Sequence, residues 1–423
     1  MPMSNDFKKR LFPNIADIIA HFGSPFHIYD EKGILQTGKL LKNVFSAIPG
    51  FMEYFAVKAL PNPTIMSLMK DMGFGFDCSS IPELVLSRNI GATDEEIMFT
   101  SNNTTNKGFE TAFADGGCII NLDDISLISK LPEIPELISF RYNPGPKRTG
   151  NNFIGKPVEA KYGVSNEQII NAYQEMINRG VKRFGIHTML ASNELNYTYL
   201  VETAQMLLSL VADISTKLGI KFEFINIGGG MGIPYHPDDD KFNITDLAKD
   251  VTTLFKVFKQ GQRYMPKLFI ESGRYMTGPH GVLVTKAINI KNIYRKYIGV
   301  DACMSALMRP GIYGAYHHID VLNPNGKNTS GRDKQIVDVV GALCENTDKF
   351  AIQRKLPIII PGDIVVIQDT GAHGHAMGFN YNAQLRPKEL LLKKDGTVEL
   401  IRREETMADY FATLKFEKQI LKL

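Results

Sequence analysis

The sequence predicts an α/β protein that combines a (β/α)8 TIM barrel with a second, antiparallel β domain. From about residue 52 to residue 275, short apolar runs rich in β-forming residues alternate with longer amphipathic segments, which is the pattern of repeated βα units. Eight such runs occur, and eight parallel strands, each followed by a helix, close a barrel. After about residue 280 apolar and polar residues alternate with few helical stretches, which is typical of antiparallel sheet.

The strands of the predicted barrel are indicated by their composition, and the helices by a period of 3.6 residues. Behind the first strand and the segment "PNP", Ile65, Leu68, Met69 and Met72 fall at i, i+3, i+4 and i+7, so one face of this helix is apolar. Residues 198–218 repeat the pattern over a longer helix. The eight predicted strands are "EYFAVK", "FGFDC", "IMFTS", "CIINL", "ISFRYNP", "FGIHTM", "FINIGGG" and "LFIESG".

We expect the barrel domain to span residues 31–278 and the β domain to be discontinuous, with residues 1–30 and 279–423. The early run "FHIYD", Phe26 to Asp30, precedes the first barrel helix and is assigned to the β domain. A dinucleotide-binding α/β fold is the competing interpretation. It is disfavoured because "GGGMG", Gly228 to Gly232, lacks the G-x-G-x-x-G spacing and occurs late in the series.

Composition and charge exclude several functional classes. With 44% hydrophobic and 22% charged residues and a formal net charge of +3, the chain has an ordinary globular balance that gives no reason to expect nucleic acid. No apolar run approaches the ~18 residues that span a bilayer, and the start "MPMSNDFKKRLFPN" lacks the apolar core of a signal peptide. The four cysteines form no C-x-x-C pair. We therefore expect a cytoplasmic protein with reduced thiols and no membrane segment.

Polar or glycine residues close five of the eight predicted strands, where a barrel carries its active site. Any one of them could be an ordinary solvated strand end, but five strands together predict a functional site. These residues are Lys58 on the first run, Asp77 and Ser79 on the second, His187 on the sixth, Gly228 to Gly230 on the seventh, and Glu271 with Arg274 on the eighth.

Each of these groups suits one part of a pyridoxal phosphate site. A partly desolvated lysine such as Lys58 can lose its proton and form a Schiff base with an aldehyde. The glycines Gly228 to Gly230 let backbone N–H groups surround a phosphate without interference from side chains. The carboxylate of Glu271 can keep a pyridine nitrogen protonated, which makes the ring an electron sink, and His187 can stack on that ring.

Several ordered motifs resemble those of the fold type III, alanine-racemase-type pyridoxal phosphate decarboxylases, and among them the diaminopimelate decarboxylases. "YFAVKAL" resembles the motif of the Schiff-base lysine, "FDCSSIPEL" the second-strand motif and "NIGGGMG" the phosphate loop. "ESGR" is similar to the family's E-P-G-R, "MRPGIYGAYHHI" to R-P-x-x-Y-x-A-x-H, and "CENTD" to C-E-S-x-D. The resemblance covers nearly the whole chain.

The resemblance implies that the cofactor is pyridoxal 5′-phosphate and that Lys58 bonds to it. Glu271 would pair with the ring nitrogen, and His187 would pack on the ring. A homodimer with shared active sites is also implied, in which Cys344 and Glu345 reach into the site of the partner subunit and Cys344 protonates the carbon that has lost carbon dioxide. A lone cysteine is otherwise most often a buried small hydrophobic residue. The other implied cofactor contacts are Asp77, Gly228, Gly229, Gly230, Gly273, Arg274 and His373.

For the substrate, the resemblance implies a diamino acid that is decarboxylated at a D-configured α-carbon, so that meso-diaminopimelate gives L-lysine and carbon dioxide. Arg274, Arg309 and Tyr313 would bind the distal carboxylate, which suits paired guanidinium groups. Glu345 would hold the distal amine, and Asn346 occupies the position of a serine that helps to bind the distal carboxylate.

Departures from the family's motifs leave the choice of substrate open. The family's H-I-G-S is "HTML" here, without the serine that contacts the phosphate, and Ser272 replaces a proline in "ESGR". Asn346 replaces a serine, and His373 replaces the tyrosine of a late G-A-Y motif. The alternative is a decarboxylase of D-lysine or D-ornithine that yields cadaverine or putrescine.

Two further alternatives are an amino-acid racemase of the same fold and a regulatory relative that has lost catalysis. A racemase places an arginine at the ring nitrogen, so Glu271 favours decarboxylation. Intact Lys58, Glu271 and Cys344 speak against the regulatory relative. His373 and His375 lack an acidic or cysteine partner at ligand spacing, so no metal site is predicted.

Overall fold

The computed structural model describes residues 3–151, 155–417, 419 and 421, and the chain divides into two compact units. The barrel unit comprises Ile34–Pro234 and Asp238–Thr277. The β unit comprises the chain up to Gly33, the short segment Tyr235–Pro237 and the chain from Gly278 onward.

The N-terminal segment belongs to the β unit and contains helices α1 (Asn5–Leu11) and α2 (Ile15–Phe22) and strand β1 (Phe26–Asp30). Apolar residues of the two helices recur at helical spacing and form one hydrophobic core with Phe26 and Ile28. The helices therefore cover one face of the sheet to which β1 belongs.

Eight parallel strands close the barrel, which confirms the predicted fold class. The first and last of these strands pair with each other and so complete the ring. The elements of the barrel are, in order, α3 (Glu31–Val44), β2 (Met52–Ala56), α4 (Pro63–Asp71), β3 (Gly75–Cys78), α5 (Ile81–Asn89), β4 (Ile97–Phe99), α6 (Asn106–Phe113), β5 (Ile119–Leu122), β6 (Leu137–Arg141), α7 (Ile169–Asn178), β7 (Arg183–His187), α8 (Thr198–Leu218), β8 (Phe222–Asn226), α9 (Ile244–Gln262), β9 (Lys267–Ile270) and α10 (Arg274–Thr277).

One connection differs from the predicted alternation of strand and α-helix. Strand β5 is followed by a 3-10 helix over Ile125–Lys130 instead of an α-helix. The connection contains Pro132 and Pro135, and proline inside an α-helix removes a hydrogen bond and clashes with the preceding turn. The chain therefore returns to β6 without a longer helix.

Large apolar side chains fill the barrel interior. Tyr54, Met98, Phe224 and Phe269 belong to one buried cluster, in which the rings of Phe224 and Phe269 stack with their centroids 4.4 Å apart. Ile119 and Leu137, the first residues of their strands, belong to the same cluster. Polar side chains are thereby left to the opposite, C-terminal ends of the strands.

The β unit is mostly antiparallel, as predicted, but two of its strand pairs are parallel. In one of these pairs β1 lies beside the strand Lys388–Leu392. In the other, Lys296–Val300 lies beside Lys334–Val340. Parallel neighbours need a long connection. Between β1 and Lys388–Leu392, this connection includes the whole barrel. The remaining elements are β10 (Gly281–Asn292), β11 (Lys296–Val300), α11 (Arg309–Tyr313), β12 (Ile319–Leu322), β13 (Lys334–Val340), β14 (Lys349–Pro357), β15 (Ile364–Ile367), β16 (Lys388–Leu392), β17 (Val398–Arg402) and α12 (Met407–Tyr410).

Within the described part of the chain, no helix combines the length and the apolar character that a membrane span requires.

Candidate active site

A cavity of about 380 Å³ lies at the C-terminal ends of the barrel strands. It brings together five residues that the sequence predicted from four different strands, and it adds others that were not predicted. The lining residues are Lys58, Asp77, Ser79, Thr100, Asn102, Arg141, Tyr162, His187, Met189 and Glu271.

Lys58 lies just beyond β2, in a 3-10 turn over Val57–Ala59, and not in the strand itself. Its side chain is 47% exposed, and its Nζ lies 3.3 Å from Asp77 Oδ2. The charge of Asp77 raises the pKa of Lys58, while burial opposes the shift. Lys58 is therefore an ammonium group whose charge is set by Asp77, whereas partial burial alone would favour loss of the proton.

Asp77, at the end region of β3, is buried and has unused capacity to accept hydrogen bonds. Its Oδ1 accepts no hydrogen bond from any residue that the structure describes. Burial and the nearby charge of Glu271 raise the pKa of Asp77, and Lys58 and His187 act against this shift. Asp77 and Glu271 therefore share the same two neighbours, Lys58 and His187.

Glu271 follows β9 and is buried. Its Oε1 accepts a hydrogen bond from Asn226 Nδ2 at 2.7 Å, and its Oε2 lies 3.3 Å from His187 Nε2. Burial by itself would raise the pKa of Glu271, but His187, Lys58 and the Asn226 amide together lower it to about 2. Glu271 is therefore a carboxylate at every physiological pH.

His187 ends β7 and is held by an amide from β5. Asn121 Nδ2 lies 2.9 Å from His187 Nδ1 and also donates to Thr100 Oγ1 at 3.1 Å. Because an amide nitrogen only donates, Nδ1 accepts and the proton of the neutral imidazole lies on Nε2, which faces Glu271. Asn121 thus fixes both the tautomer and the orientation of the ring.

The three glycines after β8 are required by close packing of the chain. Gly228 and Gly230 have φ angles of +72° and +99°, which other residues rarely adopt. A Cβ on Gly229 would lie 2.1 Å from the carbonyl oxygen of Glu271, and a Cβ on Gly273 would lie 2.5 Å from Ala59 Cβ. A side chain at Gly229 would therefore push the loop away from the end of β9, and one at Gly273 would collide with the turn that follows β2.

Residues from three strands were missed by the sequence analysis. No site residue was predicted from β4, β5 or β6. Thr100 follows β4, Asn121 is the penultimate residue of β5, and Arg141 ends β6. The guanidinium of Arg141 lies 3.7 Å from the centroid of the Tyr162 ring, and its Nη1 lies 3.5 Å from Asp123 Oδ1. Applying the strand-end rule to all eight strands would have found these three positions.

A buried glutamate, Glu53, supports the segment that carries Glu271. It is fully buried, and its Oε1 accepts the backbone N–H of Ser272 at 2.7 Å. Burial, with smaller effects from the charges of Glu271 and Asp77, raises the pKa of Glu53 well above its usual value. The bond depends on a departure from the family motif, because a proline at position 272 would have no N–H to donate.

We expect Glu53→Leu to lower the free energy of unfolding by about 1–3 kcal/mol, because the buried Ser272 N–H loses its acceptor. Glu53→Gln is the matched control, since its amide oxygen can still accept this hydrogen bond, and it should cost much less. Urea denaturation of both variants measures the difference. Equal stability of the leucine variant and the wild type would show that this hydrogen bond contributes nothing.

The remaining predicted site residues are divided between the two units. In the barrel unit, Arg274 begins α10, and its Nη2 lies 3.5 Å from Ser192 Oγ. His373, with a φ of +56°, lies in the β unit. The other residues assigned to the β unit are Arg309, Tyr313, Cys344, Glu345 and Asn346.

The "CENTD" segment forms a loop that presents Cys344 on the surface. Cys344 is a free, exposed thiol, and its backbone N–H donates to Asn382 Oδ1 at 2.8 Å. The buried carboxylate of Asp348 accepts the N–H groups of Met304 and Leu343 at 2.7 and 2.8 Å and so anchors the loop. Glu345 accepts the Thr347 N–H and hydroxyl within the loop, and these bonds lower the pKa of Glu345.

The residues of the barrel cavity fit pyridoxal phosphate. Lys58 supplies a primary amine in an open cavity, Glu271 a permanent carboxylate, and Asp77 Oδ1 an acceptor that no described residue uses. Among the described residues, the acceptor that the Gly229 N–H meets is the Sδ of Met189, at 3.2 Å. A thioether is a weak acceptor, so this N–H retains its capacity to bind a phosphate oxygen. No group of three or more His, Cys, Asp or Glu side chains in the described ranges is arranged to hold a metal ion.

Comparison with known proteins agrees with this fit. Residues 36–278 match the family described as "Pyridoxal-dependent decarboxylase, pyridoxal binding domain". Protein TabA of Pseudomonas amygdali pv. tabaci is 43% identical over 99% of this chain and 97% of its own length. The diaminopimelate decarboxylase of Methanothermobacter thermautotrophicus is 32% identical over 96% of this chain and 95% of its own length. The crystal structure of the M. jannaschii diaminopimelate decarboxylase in complex with L-lysine superposes with a TM-score of 0.85 at 29% identity, and the match covers 94% of each chain.

The predicted resemblance to fold type III decarboxylases, the expected cofactor and the expected enzyme class are confirmed by these matches. The chain belongs to the family of pyridoxal-dependent decarboxylases: it is an amino-acid carboxy-lyase of the diaminopimelate and ornithine type, and its cofactor is pyridoxal 5′-phosphate.

Proposed function

We propose that this enzyme removes the carboxyl group from the D-configured α-carbon of meso-diaminopimelate and releases L-lysine and carbon dioxide. The observation that carries the proposal is the barrel cavity, in which Lys58, Asp77, His187 and Glu271 converge. The identity to diaminopimelate decarboxylases over 95% or more of the chain in several organisms supports the choice of substrate.

Three residues of the barrel have different roles toward the cofactor. Bound pyridoxal phosphate supplies an aldehyde that captures amino groups and a ring that accepts electrons. Lys58 would hold the aldehyde through its ε-amine until the substrate amine displaces it, and it would leave as the free amine. Glu271 keeps a proton on the ring nitrogen, and His187, oriented by Asn121, packs on the ring.

The phosphate is proposed to be held by backbone and side-chain donors. These are the N–H groups of Gly229, Gly230 and Gly273, together with Arg274 and His373. The predicted contact from the Gly228 N–H is dropped, because this group donates to Asn226 Oδ1 at 2.9 Å.

For the substrate, we propose that Arg274, Arg309 and Tyr313 bind the distal carboxylate and that Glu345 binds the distal amine. Asn346 takes the place of a serine in related enzymes and offers an amide donor to the same carboxylate.

The substrate is tested by measuring carbon dioxide release from meso-diaminopimelate, D-lysine, D-ornithine and their L forms. We expect meso-diaminopimelate to have the highest kcat/KM. A higher kcat/KM for D-lysine or D-ornithine would show that one of these is the substrate instead of meso-diaminopimelate. The departures from the family motifs at Asn346 and His373 favour this alternative. Robust activity on L-lysine or L-ornithine would contradict the proposed stereochemistry.

We also propose that the active enzyme is a homodimer in which Cys344 of the partner subunit protonates the α-carbon after carbon dioxide leaves. Cys344 is exposed on its own chain, which suits a residue that acts in a neighbouring subunit. Ile293, Tyr294 and Ile336 of the β unit are exposed apolar side chains as well.

Mixing two impaired variants, each altered in a different one of these residues, tests this shared site. We expect Cys344→Ala to bind the cofactor but turn over slowly, and Lys58→Ala to be inactive. A mixture of the two should regain activity, because each mixed dimer contains one site with both native residues. No recovery in mixtures that sedimentation shows to be dimeric would mean that each chain completes its own site.

A further inference from the structure

Arg309, the first residue of α11, is held from two sides by aromatic residues of the β unit. Its guanidinium Nη1 lies 3.0 Å from His317 Nε2, and its guanidinium carbon lies 4.5 Å from the centroid of the Tyr235 ring. The Tyr235 and His317 rings meet edge to face with centroids 5.0 Å apart. Arg309 is only 5% exposed, so these contacts restrict the direction of its guanidinium.

The hydrogen bonds of His317 define its protonation state. Its Nδ1 lies 2.7 Å from the backbone carbonyl oxygen of Gln368, and a carbonyl only accepts, so Nδ1 carries the proton. Its Nε2 must accept, because a guanidinium only donates. His317, which is fully buried, is therefore a neutral imidazole that orients Arg309 without adding negative charge beside it.

The surroundings of His317 hold this imidazole in place. The backbone carbonyl of His317 accepts a hydrogen bond from Arg354 Nη1 at 2.9 Å. The backbone N–H of Gln368 donates to the carbonyl of His318 at 2.9 Å, and the side-chain amide of Gln368 donates to Asp320. The acceptor of the Nδ1 proton is thus anchored next to β12 and β15.

We propose that His317 is a positioning residue for substrate selection. It holds Arg309 in the orientation that binds a distal carboxylate, so that the enzyme prefers a diamino dicarboxylic acid to the diamino monocarboxylic acid that lacks only this carboxylate. A neutral acceptor suits this role, since a carboxylate in its place would orient the guanidinium but also cancel its charge. The inference rests on the proposed function, in which Arg309 contacts the substrate.

The experiment compares two substitutions of His317 in the holoenzyme on two substrates. Asparagine places its amide nitrogen near the position of Nδ1 and can keep the bond to Gln368, but it does not reach Arg309. Glutamine is the conservative variant, because its amide oxygen can take over the role of Nε2. The substrates are meso-diaminopimelate and D-lysine, which differ only by the distal carboxylate; if D-lysine turns over slowly, its inhibition constant replaces KM.

For His317→Asn, we expect KM for meso-diaminopimelate to rise about 10- to 100-fold, the effect of losing a hydrogen bond to a charged group. The values of kcat, and the constants for D-lysine, should change far less. His317→Gln should retain most of the wild-type preference for meso-diaminopimelate over D-lysine. Tyr235→Leu, which removes the ring from the other side of Arg309, should reduce the same preference, so the test does not depend on one variant folding well.

Two different failures can be told apart. If the wild type prefers meso-diaminopimelate but His317→Asn affects both substrates equally, or affects neither, His317 has no selective role and the inference is wrong. If the wild type shows no preference for the distal carboxylate, the proposed substrate is wrong and the inference falls with it.

Discussion

Replacement of Lys58 by alanine is expected to abolish decarboxylation and to remove the covalent link to the cofactor. The Lys58 amine is the one primary amine among the residues that line the barrel cavity. Loss of a group that both bonds to the cofactor and transfers protons should lower kcat by at least about 10²–10⁴-fold. Carbon dioxide release gives the rate, and the visible absorbance of bound pyridoxal phosphate reports the covalent link.

Lys107→Ala is a suitable control, since Lys107 is exposed on α6. It should leave both the rate and the absorbance unaltered. Unchanged absorbance in Lys58→Ala would assign the covalent link to another lysine.

Replacement of Glu271 by glutamine is expected to lower kcat by about 10²–10³-fold, the usual effect of removing a preorganised group that faces charge developing in the reaction. Glutamine retains an oxygen that can accept the hydrogen bond from Asn226, so the local fold should persist. It carries no negative charge, however, and cannot keep the ring nitrogen protonated. Because the pKa of Glu271 is lowered to about 2, the wild-type carboxylate performs this role over the whole working pH range.

The measurement for Glu271→Gln is steady-state decarboxylation together with the affinity for pyridoxal phosphate. Glu110→Gln, an exposed change on α6, is the matched control. A glutamine variant with wild-type kcat would show that the ring nitrogen does not depend on Glu271 and would reopen the racemase alternative.

The strand pattern and the strand-end rule predicted the barrel and the centre of its site. Lys58, Asp77, His187 and Glu271 are far apart in sequence, yet the C-terminal ends of parallel strands meet on one face of a barrel. The cavity that they line follows from this topology. For that reason, residues that each looked ordinary on their own strand could be predicted as one group.

The interactions that set the charges in the site could not be predicted in the same way. The proton on Lys58 depends on its distance from Asp77, and the tautomer of His187 depends on an amide of β5. Glu53 and Ser272 form their hydrogen bond across 219 residues of sequence. No spacing rule reveals such pairs, because they arise only when the barrel closes.

The missing α-helix after β5 is a different case. Pro132 and Pro135 stand in the printed sequence, and their effect on a helix is general. The prediction of an α-helix after every strand was wrong there, because these two prolines keep the connection from continuing as an α-helix.

Lys58 is assigned as the residue that binds the cofactor, and reductive trapping of this bond tests the assignment. The holoenzyme is reduced with sodium borohydride, digested, and its peptides are mapped by mass spectrometry. We predict a pyridoxyl group on Lys58 and no modification elsewhere, with the label lost from the apoenzyme. A pyridoxyl group on a different lysine, or none on any peptide of an enzyme that remains active, would contradict the assignment of the barrel cavity as the active site.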